Sequence, residues 1–468
     1  MQNKISQLTH KRVLGVAIPI VLANVTIPIL GAVDTAVVGQ MGLAAPIGAV
    51  GIGAIIISAI YWLFGFLRMG TTGLTAQAIG SNDQSETSAL LVRGVIIGLV
   101  AGLILILIQI PLFSGALGLA PASAEVESLA QEYLKIRVYS APAAIAIFGI
   151  TGWLIAKERT RAVLVLLLLV NTVNITLDFV FVLKLGWGVE GVAFATLIAE
   201  WLGLLFGLWL AREGFKNGYW RNWIQIFDRA RLIKMAKVNS DILIRSVLLE
   251  IAFVSFLFLG SSFDDATLAA NQVLIQFLNI TAYAMDGFAF AAEAIVGKAL
   301  GSRNRLLFRK SAIMTSQWGF GLVIVMAIIF AVFGSNIIDV MTTAENVREV
   351  SREYLPWMVL APLVGAASWM LDGIFIGATR TADMRNMMFI SFCVYLLTLA
   401  ILLPRYENHG LWASLIIFSI ANKLSFILDR SPACFGNTSS GTVKLDKFSS
   451  NKIFSFRDPH LLQGIHSW

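Results

Sequence analysis

The sequence predicts an all-α polytopic membrane protein, with twelve transmembrane helices in two six-helix lobes. Three observations carry that reading. Charged residues make up 13% of the 468-residue chain and hydrophobic residues 57%, where a soluble domain carries about 25% charged residues. Apolar runs of about 20 residues recur, each long enough to cross a hydrocarbon core of about 30 Å as a helix. Basic residues collect in alternate loops, as the positive-inside rule requires of a spanning chain. A mean hydropathy of +0.78 excludes a soluble enzyme, a disordered scaffold and a nucleic-acid-binding domain.

In chain order, the spans are read at 13–38, 47–69, 90–113, 133–156, 162–183 and 191–210, then 242–260, 268–296, 312–333, 354–377, 386–403 and 410–428. They do not alternate, and they far exceed the ~9–11 residues of a barrel strand. The first is too long for a signal-peptide core and no small-residue cleavage site follows it, so the N-terminus is expected to be retained. Residues 213–241 hold Tyr219, Trp220 and Trp223 among Lys and Arg. That mixture suits a cytoplasmic amphipathic segment at the membrane surface, here a linker between an N-lobe (13–212) and a C-lobe (242–428). Residues 429–468 are polar and Ser-rich with no span, and are expected to form a disordered cytoplasmic tail that can be removed without loss of activity.

Orientation follows from the loops. Lys4, Lys11 and Arg12 lie in the segment 1–12. Lys157, Arg159 and Arg161, the bases of 212–237 and 298–310, and Arg380 and Arg385 fall on the same side. The opposite loops carry Glu125, Glu127, Asp264, Asp265, Asp339 and Glu345. Both termini are therefore expected in the cytoplasm of a cell with the chain in its inner membrane. Once Cys393 and Cys434 are replaced, a cysteine at Asp264 should react with an impermeant thiol reagent in intact cells and one at Asn82 should not. The reverse pattern would overturn the orientation.

The halves repeat. Ala78-Ile79-Gly80-Ser81 matches Ala299-Leu300-Gly301-Ser302 at an offset of 221, and Glu132-Tyr133-Leu134 matches Glu353-Tyr354-Leu355 at the same offset. Gly152 with Gly373, and Arg159-Thr160 with Arg380-Thr381, keep it too. Leu43-Ala44-Ala45 matches Leu268-Ala269-Ala270 at 225. Six helices return the chain to the same side, so the repeats are parallel and related by an axis along the membrane normal.

Two cysteines and four scattered histidines offer neither a disulfide framework nor a metal-ligand spacing. No nucleotide-binding motif occurs. The reading is a secondary transporter without a cofactor, not an enzyme. Its candidates are the ionisable groups inside spans, which are costly there unless they have work or partners: Asp34, Asp178, Glu200, Arg245, Glu250, Asp286, Glu293 and Asp372. Each could instead snorkel at a helix end or sit in a structural hydrogen-bond network.

Asp34 ranks first. It follows Pro19 and Pro28 on one helix, and each proline removes a backbone donor and favours a kink. Asn174 and Asp178 are one turn apart on one helix face, with Thr172 and Thr176 nearby and Thr196 on the next helix. Such oxygens suit a proton, a hydronium or a Na⁺ ion; interhelical glue is the alternative. Asp286 and Glu293, seven apart, share a face and with Glu250 and Asp372 could line a C-lobe cavity. Glu200 has no evident partner, and Arg245 reads as the only base well inside a span.

These residues carry a resemblance. The chain resembles the multidrug and toxic compound extrusion (MATE) family, specifically its DinF-like branch, over about residues 10–425. The resemblance rests on Pro19 through Gly39, ending in Gly-Ala-Val-Asp-Thr-Ala-Val-Val-Gly; on Leu67-Arg68-Met69-Gly70-Thr71-Thr72-Gly73-Leu74-Thr75-Ala76-Gln77; on Asn174-Ile175-Thr176-Leu177-Asp178; on Tyr283-Ala284-Met285-Asp286-Gly287-Phe288-Ala289; and on Leu371-Asp372-Gly373-Ile374-Phe375-Ile376-Gly377-Ala378-Thr379-Arg380. It implies a two-lobed bundle with a V-shaped cleft and cation-driven export of amphiphilic, often cationic compounds. It also implies that Asp34 is the principal coupling carboxylate, completed by Asn174, Asp178 and Thr196, with Pro19 as the bending point. Glu250 and Asp372 fall near the C-lobe acids of the NorM-like branch, a departure from the DinF-like pattern. The final helix and the tail depart from the family as well.

The leading function is proton-coupled, or Na⁺-coupled, multidrug antiport by a monomer in the lipid bilayer. A lipid-linked oligosaccharide flippase of related architecture is the alternative; it should line its cleft with Arg or Lys to meet a pyrophosphate. A polytopic membrane enzyme would need a sizeable catalytic loop, and none is present.

Overall fold

In the computed structural model, which describes residues 8–118 and 122–428, the apolar runs are helices. They are α1 (His10–Gly39), α2 (Ala44–Gly80), α3 (Gln84–Leu107), α4 (Ala124–Ala156), α5 (Thr160–Lys184), α6 (Gly188–Leu210), α7 (Arg229–Gly260), α8 (Asp265–Gly301), α9 (Arg305–Met341) and α10 (Glu345–Ala378). The last helical stretch, Thr381–Leu428, turns at Glu407 (φ 48°, ψ −126°) and so forms two helices, α11 and α12. The described residues contain no strand. The tail expected at 429–468 lies outside them, as do residues 1–7.

Helices outrun the apolar stretches because polar caps start them in the loops. Asp83, Asp264 and Asn304 each accept from the backbone N–H three residues on, at 2.9 Å. Asp228 does the same for Arg231 at 2.9 Å, so α7 begins inside the stretch read as linker. The rest of that linker is clamped to α3. Ile226 is fully buried, and Arg93 donates from Nε to the Ile226 carbonyl at 2.7 Å and from Nη2 to the Gln225 carbonyl at 2.6 Å. Trp223, Ile224 and Phe227 remain exposed, as an interfacial segment requires.

The repeat is written into the backbone. Left-handed φ occurs at Asn82 and Arg303 (59° and 53°), at Glu158 and Thr379 (61° and 51°), and at Gly186 and Glu407 (70° and 48°), each pair at the 221-residue offset. Left-handed backbone costs a non-glycine residue roughly 1–2 kcal/mol, so three such pairs mark equivalent turns. The crossing of the lobes obeys the same symmetry. A Cβ on Gly80 would stand 2.2 Å from the Lys298 carbonyl, and one on Gly301 would stand 2.1 Å from the Gln77 carbonyl. Gln77 and Lys298 are themselves equivalent, so the contact is reciprocal about a pseudo-twofold axis.

The links between lobes gather at the end that bears the N-terminus. Asn24 Nδ2 donates to the Tyr283 carbonyl at 3.0 Å, and Gln77 Nε2 to Thr379 Oγ1 at 3.0 Å. Glu158, in the α4–α5 turn, accepts from Arg12 Nη2 at 2.6 Å and from Lys298 Nζ at 2.7 Å. Past Asn24, α1 turns to α5: Asn171 Nδ2 donates to Thr26 Oγ1 at 2.8 Å. These bonds between the lobes thus lie in the half of the bundle that bears the N-terminus.

Burial alone would raise the Glu158 carboxyl, but Arg12 and Lys298 hold it at about 2, below its ordinary 4.5. A depressed carboxylate contributes stability above its unfolded value and loses it as pH falls through the folded one. Glu158→Gln should therefore cost about 3 kcal/mol near neutrality, as breaking a buried pair does. Thermal unfolding should show the deficit unchanged between about pH 8 and pH 5.5 and shrinking below pH 4.5. A deficit already gone at pH 6 would contradict the assignment.

Candidate functional site

The N-lobe site is built on α1, α5 and α6. Both Pro19 and Pro28 sit inside an α1 that continues through them. Pro19 lacks an N–H, which deprives the Gly15 carbonyl of its helical donor. Thr160 Oγ1 donates to that carbonyl at 3.3 Å instead, and Pro19 itself is buried. The residue implied as a bending point is thus clasped from the neighbouring helix of the same lobe.

Further along α1, half-buried Asp34 meets the fully buried Asp178 of α5. Their carboxyl groups lie within hydrogen-bonding reach of one another. Asn174, also fully buried, stands one turn before Asp178 and 2.9 Å from Thr196 Oγ1. The amide orientation that satisfies all its partners has the nitrogen donating to Asp178 Oδ2 at 3.1 Å and Asp34 Oδ1 at 3.2 Å, while the oxygen accepts from Thr196 Oγ1 at 2.9 Å. Asp34, Asn174, Asp178 and Thr196 therefore form one cluster. Asp178 Oδ1 is buried and accepts no hydrogen bond, so a proton shared with Asp34 or a small cation would satisfy it. Directly after Asp178, α5 widens into a π-helical turn, Phe179–Lys184, a feature that recurs at functional sites.

One member of this lobe escaped the sequence. Arg137 is buried beside the pair, and its charge acts on both Asp34 and Asp178. It donates from Nη1 to Ser140 Oγ at 2.6 Å and from Nη2 to Glu200 Oε1 at 3.4 Å, which gives Glu200 its partner. Arg245 is accordingly not the only base well inside a span: Arg68, Arg93 and Arg137 are sequestered too. The available signal was that Arg137 lies inside the run 133–156; its nearness to the loop obscured it.

In the C-lobe, Asp286 and Glu293 share a face of α8, as their spacing requires, and both feel Arg68 of α2. Arg68 Nη1 lies 3.2 Å from Glu293 Oε2, and its guanidinium covers the Phe290 ring at 3.7 Å. Asp372 of α10 pairs with Arg245 of α7. Glu250 does not join them. It follows Arg245 by five residues, about 140° around the helix, and is exposed.

The MatE family profile matches residues 19–180 and 242–402, one match in each lobe. The chain is 36% identical to DNA damage-inducible protein F of Escherichia coli K12, over 89% of this chain and 91% of that protein. It is 24% identical to the probable multidrug resistance protein NorM of Bacillus anthracis, over 92% and 96% of the two chains. Among solved structures it is similar in fold to an outward-facing multidrug resistance MATE family transporter (TM-score 0.81, 18% identity, 92% of this chain and 96% of that one). It is similar also to the Vibrio cholerae MATE transporter VcmN (TM-score 0.79, 20% identity, 91% and 98%). With twelve spans among the described residues, two matched lobes and this likeness to a DinF protein, the chain belongs to the MatE family of multidrug and toxic compound transporters, in the DinF-like branch.

Proposed function

We propose that this transporter exports amphiphilic, cationic compounds across the inner membrane in exchange for protons, with both termini in the cytoplasm. The supporting observation is the buried Asp34–Asn174–Asp178–Thr196 cluster with its unpartnered Asp178 oxygen. With N-terminus inside, the cleft faces outward, so protons reach Asp34 from outside. Deprotonated, the pair attracts a cation; protonated, it releases one. A monovalent cation exchanged for one proton moves no net charge, and only the pH gradient drives it. A second proton at Asp178 would add the membrane potential, about 2.3 kcal/mol per charge per 100 mV.

Ethidium uptake by inverted vesicles tests this reading. Uptake should require an interior-acid gradient and collapse with a protonophore. Uptake that instead follows a Na⁺ gradient would assign the same oxygens to Na⁺, for which they are suitable ligands. The flippase reading loses ground on charge. Arg68 pairs across the lobes with Glu293 and Arg245 pairs within the C-lobe with Asp372, which leaves little of either charge for a pyrophosphate.

A further inference from the structure

We propose that Arg245 is a resident cation that occupies the Asp372 carboxylate and keeps the C-lobe from acting as a second cation site; this rests on the coupling role proposed for the N-lobe. The pair bridges α7 and α10, with side chains 10% and 17% exposed. Arg245 Nε is buried without an acceptor, and the hydrogen bond its guanidinium makes among the described residues is to Asp372. Around the pair stand Asp286 of α8, and Arg68 of α2 with its partner Glu293. Two guanidiniums face three carboxyls here. A mobile cation drawn to this end of the cleft must compete with groups that the fold has already tethered.

Symmetry supplies an independent observation. The positions 221 residues after Asp34, Asn174 and Asp178 are Ser255, Tyr395 and Leu399. Ser255 Oγ and Tyr395 hydroxyl lie 3.0 Å apart, so the equivalent contact exists in the C-lobe with no charge in it. The equivalent of Arg245 is Asn24. The C-lobe, which has no acids at the cluster positions, instead pairs Asp372 with Arg245 and Glu293 with Arg68 of the other lobe. Removing Arg245 strands Asp372, and a stranded buried carboxylate must take a proton or an outside cation.

Tetraphenylphosphonium binding to the purified full chain, with proton release read by a pH indicator, tests this. Arg245→Gln should bind the cation roughly tenfold more tightly, or release about one more proton per cation bound than wild type. Adding Asp372→Asn should return both readings to wild type. Asp372→Asn alone should leave the wild-type proton count intact. The proposal is overturned if Arg245→Gln changes neither reading, if the double variant fails to revert, or if Asp372→Asn alone lowers the count. Should Arg245→Gln not fold, the Asp372→Asn count decides. Failure of the N-lobe reading looks different: the wild type itself would release no proton, while the Arg245→Gln difference would persist.

Discussion

Asp34→Asn should abolish proton-driven efflux, lowering it at least 100-fold, while the protein still folds and inserts. The amide keeps the size of the carboxyl and can still meet Asn174, whose side chain reaches Asp34 at 3.2 Å. What it loses is titration. Cation binding should weaken as well, because a negative charge within reach of the cleft is gone. Asp178→Asn should impair coupling more than Glu250→Gln, since Asp178 is fully buried against Asp34 and Glu250 is exposed. Substrate-induced proton release from purified protein, measured beside efflux, separates the outcomes. Normal proton exchange in Asp34→Asn, with exchange lost in Asp372→Asn, would move the coupling site to the C-lobe.

The second large effect is steric. Gly301→Val puts a branched side chain where even a Cβ lies 2.1 Å from the Gln77 backbone carbonyl. Neither partner is a flexible tip that could swing aside. Overpacking of this kind costs about 1–3 kcal/mol or more, and here it falls where the lobes cross reciprocally. Gly301→Val should lower the melting temperature or, if the lobes part to relieve the clash, cut ethidium export more than tenfold. Gly31→Ala on α1, where a Cβ meets nothing within 4 Å, should leave melting within a few degrees of wild type. Equal tolerance at both glycines would refute the tight crossing.

Much of the architecture was legible because its signals are local or periodic. Span length gives the helix count, and the 221-residue offset read from Arg159-Thr160 and Arg380-Thr381 also relates the adjoining turns at Glu158 and Thr379. Asn174 and Asp178 could be placed on one face from spacing alone, as could Asp286 and Glu293. Pairs between distant helices could not. Arg137 with Glu200, and Arg245 with Asp372, lie 63 and 127 residues apart, and no spacing rule reaches across such separations. Glu250 was grouped with Asp372 by likeness, yet helical rotation from Arg245 turns it away. The start of α7 is hidden for another reason: its first turns are basic, and hydropathy does not register a helix that has not yet entered the membrane.

The reciprocal crossing has one unequal detail. Gln77–Thr379 and Lys298–Glu158 are the same bridge seen twice, once as a neutral hydrogen bond at 3.0 Å and once as an ion pair at 2.7 Å. Charge-assisted bonds are roughly twice as strong as neutral ones. A clasp with one weak and one strong tooth does not release evenly. On bond strength alone, separation is expected to begin on the glutamine side and to pivot about the lysine. A duplicated architecture thereby acquires a direction of rocking that two identical bridges could not give it.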